Sequence, residues 1–201
     1  MRTAIAPMML LGTALVFAQP GQTSSSLDQP FAPNGRVRMD LSAGDYHITG
    51  SADSRIHLDW SVRDGESLSK VRARADVRGR DANVITDGPS NKNFKVTIRV
   101  PNQTDLYVRL TAGDLRVEDI RGNKDIELRA GDARVDVGRA EDYNSVDASL
   151  WAGDIKADAF NIYKGGLFRS FTWSGKGPYT LHAHLMAGDL RLYSKATEAA
   201  R

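Results

Sequence analysis

The sequence predicts an all-β domain built from stacked short strands, and three observations predict it. The tripeptide Ala-Gly-Asp occurs five times, each time in the same apolar frame: Leu41 to Tyr46, Leu110 to Leu115, Leu128 to Ala133, Leu150 to Ile155 and Leu185 to Leu190. Apolar and polar residues alternate with period two through most of the chain, the pattern of half-buried strands. Successive corner glycines Gly113, Gly131 and Gly153 lie 18 and 22 residues apart, close to the ~20-residue coil of repeat architectures.

Residues 1–18 read as a secretory signal peptide, with Arg2 as the positive end, an apolar stretch from Ala4 to Phe17, and Val16-Phe17-Ala18 as the cleavage site. The expectation is therefore an exported protein, periplasmic, at the cell surface or extracellular. Residues 19–30, rich in Ser, Gln, Gly and Pro, read as a flexible tether. The folded domain is expected over 31–195, followed by a short tail at 196–201. No second apolar stretch of spanning length follows the leader, so no membrane span is expected after its removal.

Within the domain, Val37, Met39 and Leu41 alternate with Arg36, Arg38 and Asp40, and Ile56, Leu58, Trp60 and Val62 alternate with His57, Asp59, Ser61 and Arg63. The same pattern predicts strands at Val71 to Val77, Val84 to Ile85, Phe94 to Val100 and Leu106 to Leu110. A short helical turn is expected at Glu66 to Lys70. Leu167 to Trp173, a Ser174-Gly175-Lys176-Gly177 turn and a strand from Tyr179 to Leu185 fill the longer interval before Gly188, as an inserted hairpin or one longer coil.

Strict alternation would carry Leu110 and Leu115, five residues apart, to opposite faces, yet both are apolar. A bend at Ala112-Gly113-Asp114 with positive φ at the glycine restores the phase, and glycine adopts it at little cost. The aspartate beside it can accept hydrogen bonds from backbone N–H groups that the bend frees. Gly44, Asp45, Gly113, Asp114, Gly131, Asp132, Gly153, Asp154, Gly188 and Asp189 thus read as a structural corner motif. Further turn signals at Arg121-Gly122-Asn123 and Gly138-Arg139 favour stacked coils over plain hairpins.

The stretch VPNQTDLYVRLTAGDLRVEDIRGNKDIELRAGDARVDV, Val100 to Val137, resembles the exported bacterial adhesin domains called toastrack, whose mark is a strand, a small-Gly-Asp corner and another strand, repeated. The resemblance extends over roughly Phe31 to Tyr193. It implies a single-stranded, right-handed β-solenoid (β-helix-like) with flanking N-terminal strands, and it brings no catalytic residues. Many relatives have Ser-Gly-Asp where this chain has Ala-Gly-Asp, a change of filler that leaves the corner chemistry intact.

Composition narrows the chemistry. The chain has no cysteine, which excludes disulfides, thiolate metal sites and a cysteine nucleophile. Its formal net charge of +2 gives no basic field for nucleic acid. A row of motif aspartates about 4.8 Å apart would repel unless hydrogen-bonded or bridged by calcium. Asp119, Asp136, Asp147 and Asp158, with Arg109, Arg116, Arg129 and Arg134, fall on polar strand faces, where a polysaccharide-cleaving enzyme would carry its acid and base. His182 and His184 share a face at a spacing that chelates zinc given a third ligand; His47 and His57 also fall on polar faces. No nucleophile elbow or phosphate-cradling loop is present.

The aromatics point to binding. Trp151 occupies a polar-phase position before a corner, and Phe168, Phe171, Trp173 and Tyr179 crowd the long interval. Phe168, Phe171 and Tyr179 are expected to cap the open end of the core, leaving Trp151 and Trp173 as candidate partner contacts. The sequence therefore predicts a non-catalytic envelope or surface interaction module without cofactor, its partner an envelope protein or surface glycan, with end-to-end self-association open to it. The competing expectation is a carbohydrate-active or calcium-dependent β-helix.

Overall fold

Alternating side chains bury one face of each strand, and in this protein the buried faces meet in one continuous interior. The computed structural model describes residues 24–62, 68–88 and 94–195; the expected signal peptide and tail lie outside the described residues. Fifteen strands form one sheet. In chain order they are β1 Ser24–Pro30, β2 Gly35–Leu41, β3 Asp45–Ser51, β4 Arg55–Ser61, β5 Arg72–Arg78, β6 Asp81–Asp87, β7 Lys95–Pro101, β8 Thr104–Ala112, β9 Leu115–Glu118, β10 Lys124–Ala130, β11 Ala133–Asp136, β12 Tyr143–Ala157, β13 Ile162–Ser174, β14 Tyr179–Ala187 and β15 Leu190–Tyr193. The remaining elements among the described residues are three short 3-10 turns, one of them at Leu68–Lys70 where a helical turn is expected.

The sheet runs β1-β4-β7-β3-β9-β11-β15-β12-β14-β10-β8-β2-β6-β5, with β13 on the free side of β12. Its two ends, β1 and β5, come into contact, so the sheet is nearly closed and barrel-like. The middle of the path is parallel: β2, β8, β10, β14 and the first half of β12 on one side of the corners, β3, β9, β11, β15 and the second half of β12 on the other. β1, β4, β5 and β13 pair antiparallel at the margins.

The succession of coils in chain order, which the corner spacing predicts, is not followed. The last corner pair, β14 and β15, lies between β10–β11 and β12 in space. The reason is the hairpin: β12 pairs antiparallel with β13 from Ser145↔Ser174 to Ala157↔Ile162, interrupted at Trp151 and Phe168, which leaves its other side for β14 and β15. The tether expected over 19–30 is also corrected. From Ser24 the chain is strand β1, paired with β4 along its full length from Ser24↔Ser61 to Pro30↔Arg55.

Register explains the core. Leu41, Leu110, Leu128, Leu185 and Leu150 stand side by side on neighbouring strands, all buried. Beyond the corner, Tyr46, Leu115, Ala133, Leu190 and Ile155 form a second buried row. Each fully buried leucine contributes about 1.5–3 kcal/mol, so these rows set the register of the parallel ladder.

Candidate functional site

The five corners stack in the same order as the strands. Gly44, Gly113, Gly131 and Gly188 each donate their N–H to the alanine carbonyl of the next corner, at Ala112, Ala130, Ala187 and Ala152. Gly113, Gly131, Gly153 and Gly188 have positive φ, whereas Gly44 at the first corner is not among the positive-φ glycines. At Gly131 a Cβ atom would lie 2.0 Å from the Gly113 carbonyl oxygen, so backbone approaches backbone where any side chain would stand.

Of the corner aspartates, Asp132 and Asp189 face the backbone of the neighbouring corner and not their own, and Asp154 Oδ2 accepts from Tyr163 Oη at 3.3 Å. Asp132 Oδ1 accepts the Asp189 N–H at 2.9 Å, and Asp189 Oδ1 accepts the Asp154 N–H at 2.9 Å. One residue-pair further out runs a row of bases: His47, Arg116, Arg134, Arg191 and Lys156 occupy matching positions on β3, β9, β11, β15 and β12. The acidic row therefore has hydrogen-bond donors and a cationic neighbour to offset its self-repulsion. Over this face lies a groove of about 390 Å³ lined by residues that include Asp45, His47, Lys95, Asp114, Arg116 and Arg134. Among the described residues no group of three His, Asp or Glu side chains is arranged as a metal site.

Glu118, which no sequence signal singles out, is buried on the outer side of β9 beneath its neighbours' side chains. Its Oε1 accepts from Tyr193 Oη at 2.7 Å and from Arg116 Nη2 at 2.7 Å, and its Oε2 meets His47 Nε2 at 2.8 Å. Burial alone would raise its pKa; the hydrogen bonds from Tyr193, Arg116 and His47 outweigh that and hold it at about 2. A carboxylate so weakly basic and so fully engaged is an anchor rather than a general acid or base. Lys195 joins the cluster, its Nζ 2.7 Å from Asp119 Oδ2, tying the segment after β15 to β9. The other acids that the enzyme expectation names do not converge: Asp136 is buried and accepts the Gly138 N–H, Asp158 pairs with Arg191, and Asp147 lies outward on β12 opposite His182. His184 binds Ser149 Oγ through Nδ1 at 2.8 Å.

Lys124 is the second surprise. It stands in a core row between Leu106 and Leu181 and is 1% exposed. Its Nζ donates to the Ile120 carbonyl at 2.8 Å and to Tyr143 Oη at 2.7 Å. Burial lowers its pKa to about 8 despite the nearby Asp136, Asp105 and Asp142.

The open surface lies at the β12–β13 end. Among the described residues the large apolar side chains left exposed are Trp151, Tyr163, Leu167, Phe168 and Met186, all on β12, β13 and β14. Trp151 and Phe168 stack, ring centroids 5.9 Å apart and planes 29° apart. Phe168, expected as a core cap, is instead 74% exposed. Its φ of +53° is a left-handed conformation that bulky residues seldom adopt, and it turns the ring outward over Trp151. Phe171 is buried, Tyr179 packs edge-on against Tyr143, and Trp173 lies half-buried against Phe160. The exposed aromatic companion of Trp151 is thus Phe168 and not Trp173.

None of the known family models matches the chain, and no curated protein does. Solved structures do. The chain shares its fold with a structure described as "a putative cell adhesion protein" from Clostridium sporogenes, at 15% identity and a TM-score of 0.51, covering 86% of this chain and 100% of that one. A structure described as "a putative adhesin" from Parabacteroides merdae is 13% identical with a TM-score of 0.28, covering 87% of this chain and 82% of that one. The first of these two supports the toastrack resemblance at the level of the fold. No helix among the described residues is long and apolar enough to cross a membrane.

Proposed function

We propose that this protein is an exported, non-catalytic surface or envelope interaction module of adhesin type. In this reading the five stacked corners form a right-handed β-solenoid scaffold, the Gly-Asp pairs are its structural hinges, and the β12–β13 end presents the contact face. The observation that carries the reading is the confinement of the exposed large apolar side chains to that one end, around the Trp151–Phe168 pair. Exposed apolar clusters of this kind mark interaction sites. The fold shared with a structure described as a cell adhesion protein agrees with it. The test is capture from the envelope fraction of the source cell by the immobilised chain without residues 1–18. Trp151→Ser should abolish retention of whatever the native protein retains, and equal retention by both proteins would sink the proposal.

A further inference from the structure

The partner class can be read from how the aromatic pair is set in the sheet, and this step rests on the contact face proposed above. Phe168, Trp151 and Met186 are consecutive across β13, β12 and β14: the flanking pairs Leu150↔Arg169 and Ala152↔Leu167 align the first two, and Leu185↔Leu150 and Ala187↔Ala152 align the third. They form an apolar row running across the strands, with steps of about 4.8 Å. Two residues away, earlier on β12 and β14 and later on the antiparallel β13, about 7 Å off, runs a parallel polar row of Ser170, Ser149 and His184, continued by Glu127 on β10. The face is therefore a strip, apolar on one side and rich in hydrogen-bonding groups on the other.

We infer that this strip binds a linear, neutral hexopyranose chain lying across the strands. A pyranose ring has an apolar face of C–H groups and an equator of hydroxyls, and consecutive rings of an extended chain repeat at a spacing comparable to that between strands. Phe168 and Trp151 already cover one face of each other, so sugar C–H faces pack on the faces of that pair left open and on Met186, while hydroxyls on one side reach Ser149, Ser170 and His184. Charge favours a neutral chain over an acidic one, because three acids, Asp125, Glu127 and Asp147, lie on this face against Arg109, which Glu127 engages at 3.2 Å, and Arg129 beside Met186. Extension of the sheet by a second copy is disfavoured. Lys164 Nζ donates to the Ser170 carbonyl and Arg169 Nε to the Gly165 carbonyl, each at 2.6 Å, which occupies acceptors of β13 with the strand's own cations. The left-handed Phe168 supports the inference independently, since strained backbone at a bulky exposed residue marks a constrained functional position.

The test is titration of the chain lacking residues 1–18 with cellohexaose and mannohexaose, with polygalacturonate as the anionic comparator. Tryptophan emission reports the site as the part of the signal lost in Trp151→Ala, because Trp151 is half-exposed whereas Trp60 is buried and Trp173 is packed against Phe160. Saturable binding of at least one neutral hexasaccharide is expected, with Trp151→Ala or Phe168→Ala weakening it tenfold or more and Arg55→Ala, on β4 near the far margin of the sheet, leaving it unchanged. Circular dichroism of each variant confirms that the sheet is intact. The inference is overturned if neither neutral chain binds, if binding survives Trp151→Ala in a folded variant, or if only polygalacturonate binds. A dimer in analytical ultracentrifugation that Trp151→Ala dissociates also overturns it, in favour of a second copy. Loss of envelope capture on Trp151→Ser without any glycan binding would defeat this inference alone; no effect of Trp151 on either measurement would defeat the proposed function as well.

Discussion

The corner column and the β12–β13 end are built from the same alternating strands, yet one turns its special residues inward to backbone and the other turns them out to solvent. In the column, Gly131 fits against Gly113 and Asp132 accepts the Asp189 N–H, so each corner residue serves the next corner. At the hairpin end, Trp151 and Phe168 stack on each other and remain exposed. Residues that recur with the strand repeat satisfy a need that recurs with it, namely pairing of backbone groups at each bend. Residues that occur once, at the margin, are free to answer to something outside the chain.

Replacing a corner glycine and a hairpin glycine of similar φ should therefore give unequal results. In Gly131→Ala the new Cβ meets the Gly113 carbonyl oxygen at 2.0 Å, and only a shift of both strands can relieve it. A loss of about 4 kcal/mol or more is expected. In Gly166→Ala on β13 the nearest atom is Arg169 Nη2 at 2.8 Å, the tip of a flexible side chain, so what remains is the positive-φ strain of about 1–3 kcal/mol. Urea unfolding of the two variants measures the difference, and equal losses would remove the distinction between the regions.

A smaller effect is expected at Glu118, the anchor that joins β3, β9 and β15. Glu118→Gln keeps the shape but offers an amide N–H₂ where Arg116, Tyr193 or His47 donates, and should cost about 2–3 kcal/mol near neutral pH. The carboxyl's pKa is held at about 2, below the ordinary 4.5, so its contribution is complete above pH 4.5 and is lost as pH falls towards 2. The stability gap between native protein and variant should close over that interval. A gap that stays constant would show that the carboxylate is not the stabilising form.

Much of this was readable in the residues and some was not, for physical reasons. The corners were legible because glycine and aspartate signal backbone geometry locally, and the strands because alternation is local too. Strand order was not, since a parallel ladder joins residues far apart in sequence, and nothing local says that β14 enters between β10 and β12 and β15 between β11 and β12. β1 was hidden by its composition: Ser24–Pro30 buries Leu27 and is held by pairing with β4 instead of by an apolar face. Glu118 was missed because its burial comes from side chains on two other strands. At the contact face, the polar phase of Trp151 was a valid signal, whereas Phe168 was misassigned because an alternation argument cannot foresee a left-handed residue in a strand.

Lys124 gives the finest test of how firmly the middle of the sheet is packed. Its ammonium occupies a core position between Leu106 and Leu181, compensated by the Ile120 carbonyl and the Tyr143 hydroxyl but by no carboxylate in contact among the described residues. Burial lowers its pKa from 10.5 to about 8. Below pH 8 the lysine is charged in folded and unfolded chains alike, and the folded state bears the whole desolvation cost. Between pH 8 and 10.5 the folded protein sheds the proton while the unfolded chain keeps it, so the cost is progressively relieved. Lys124→Met removes the charge and keeps the bulk, at the expense of leaving Tyr143 without its donor. The variant should match the native protein within about 1 kcal/mol at pH 7, or exceed it. As pH rises from 8 to 10.5 the native protein should gain on the variant. A difference independent of pH would mean that the ammonium reaches water in the folded state, and the middle of the sheet would then be as open as its hairpin end.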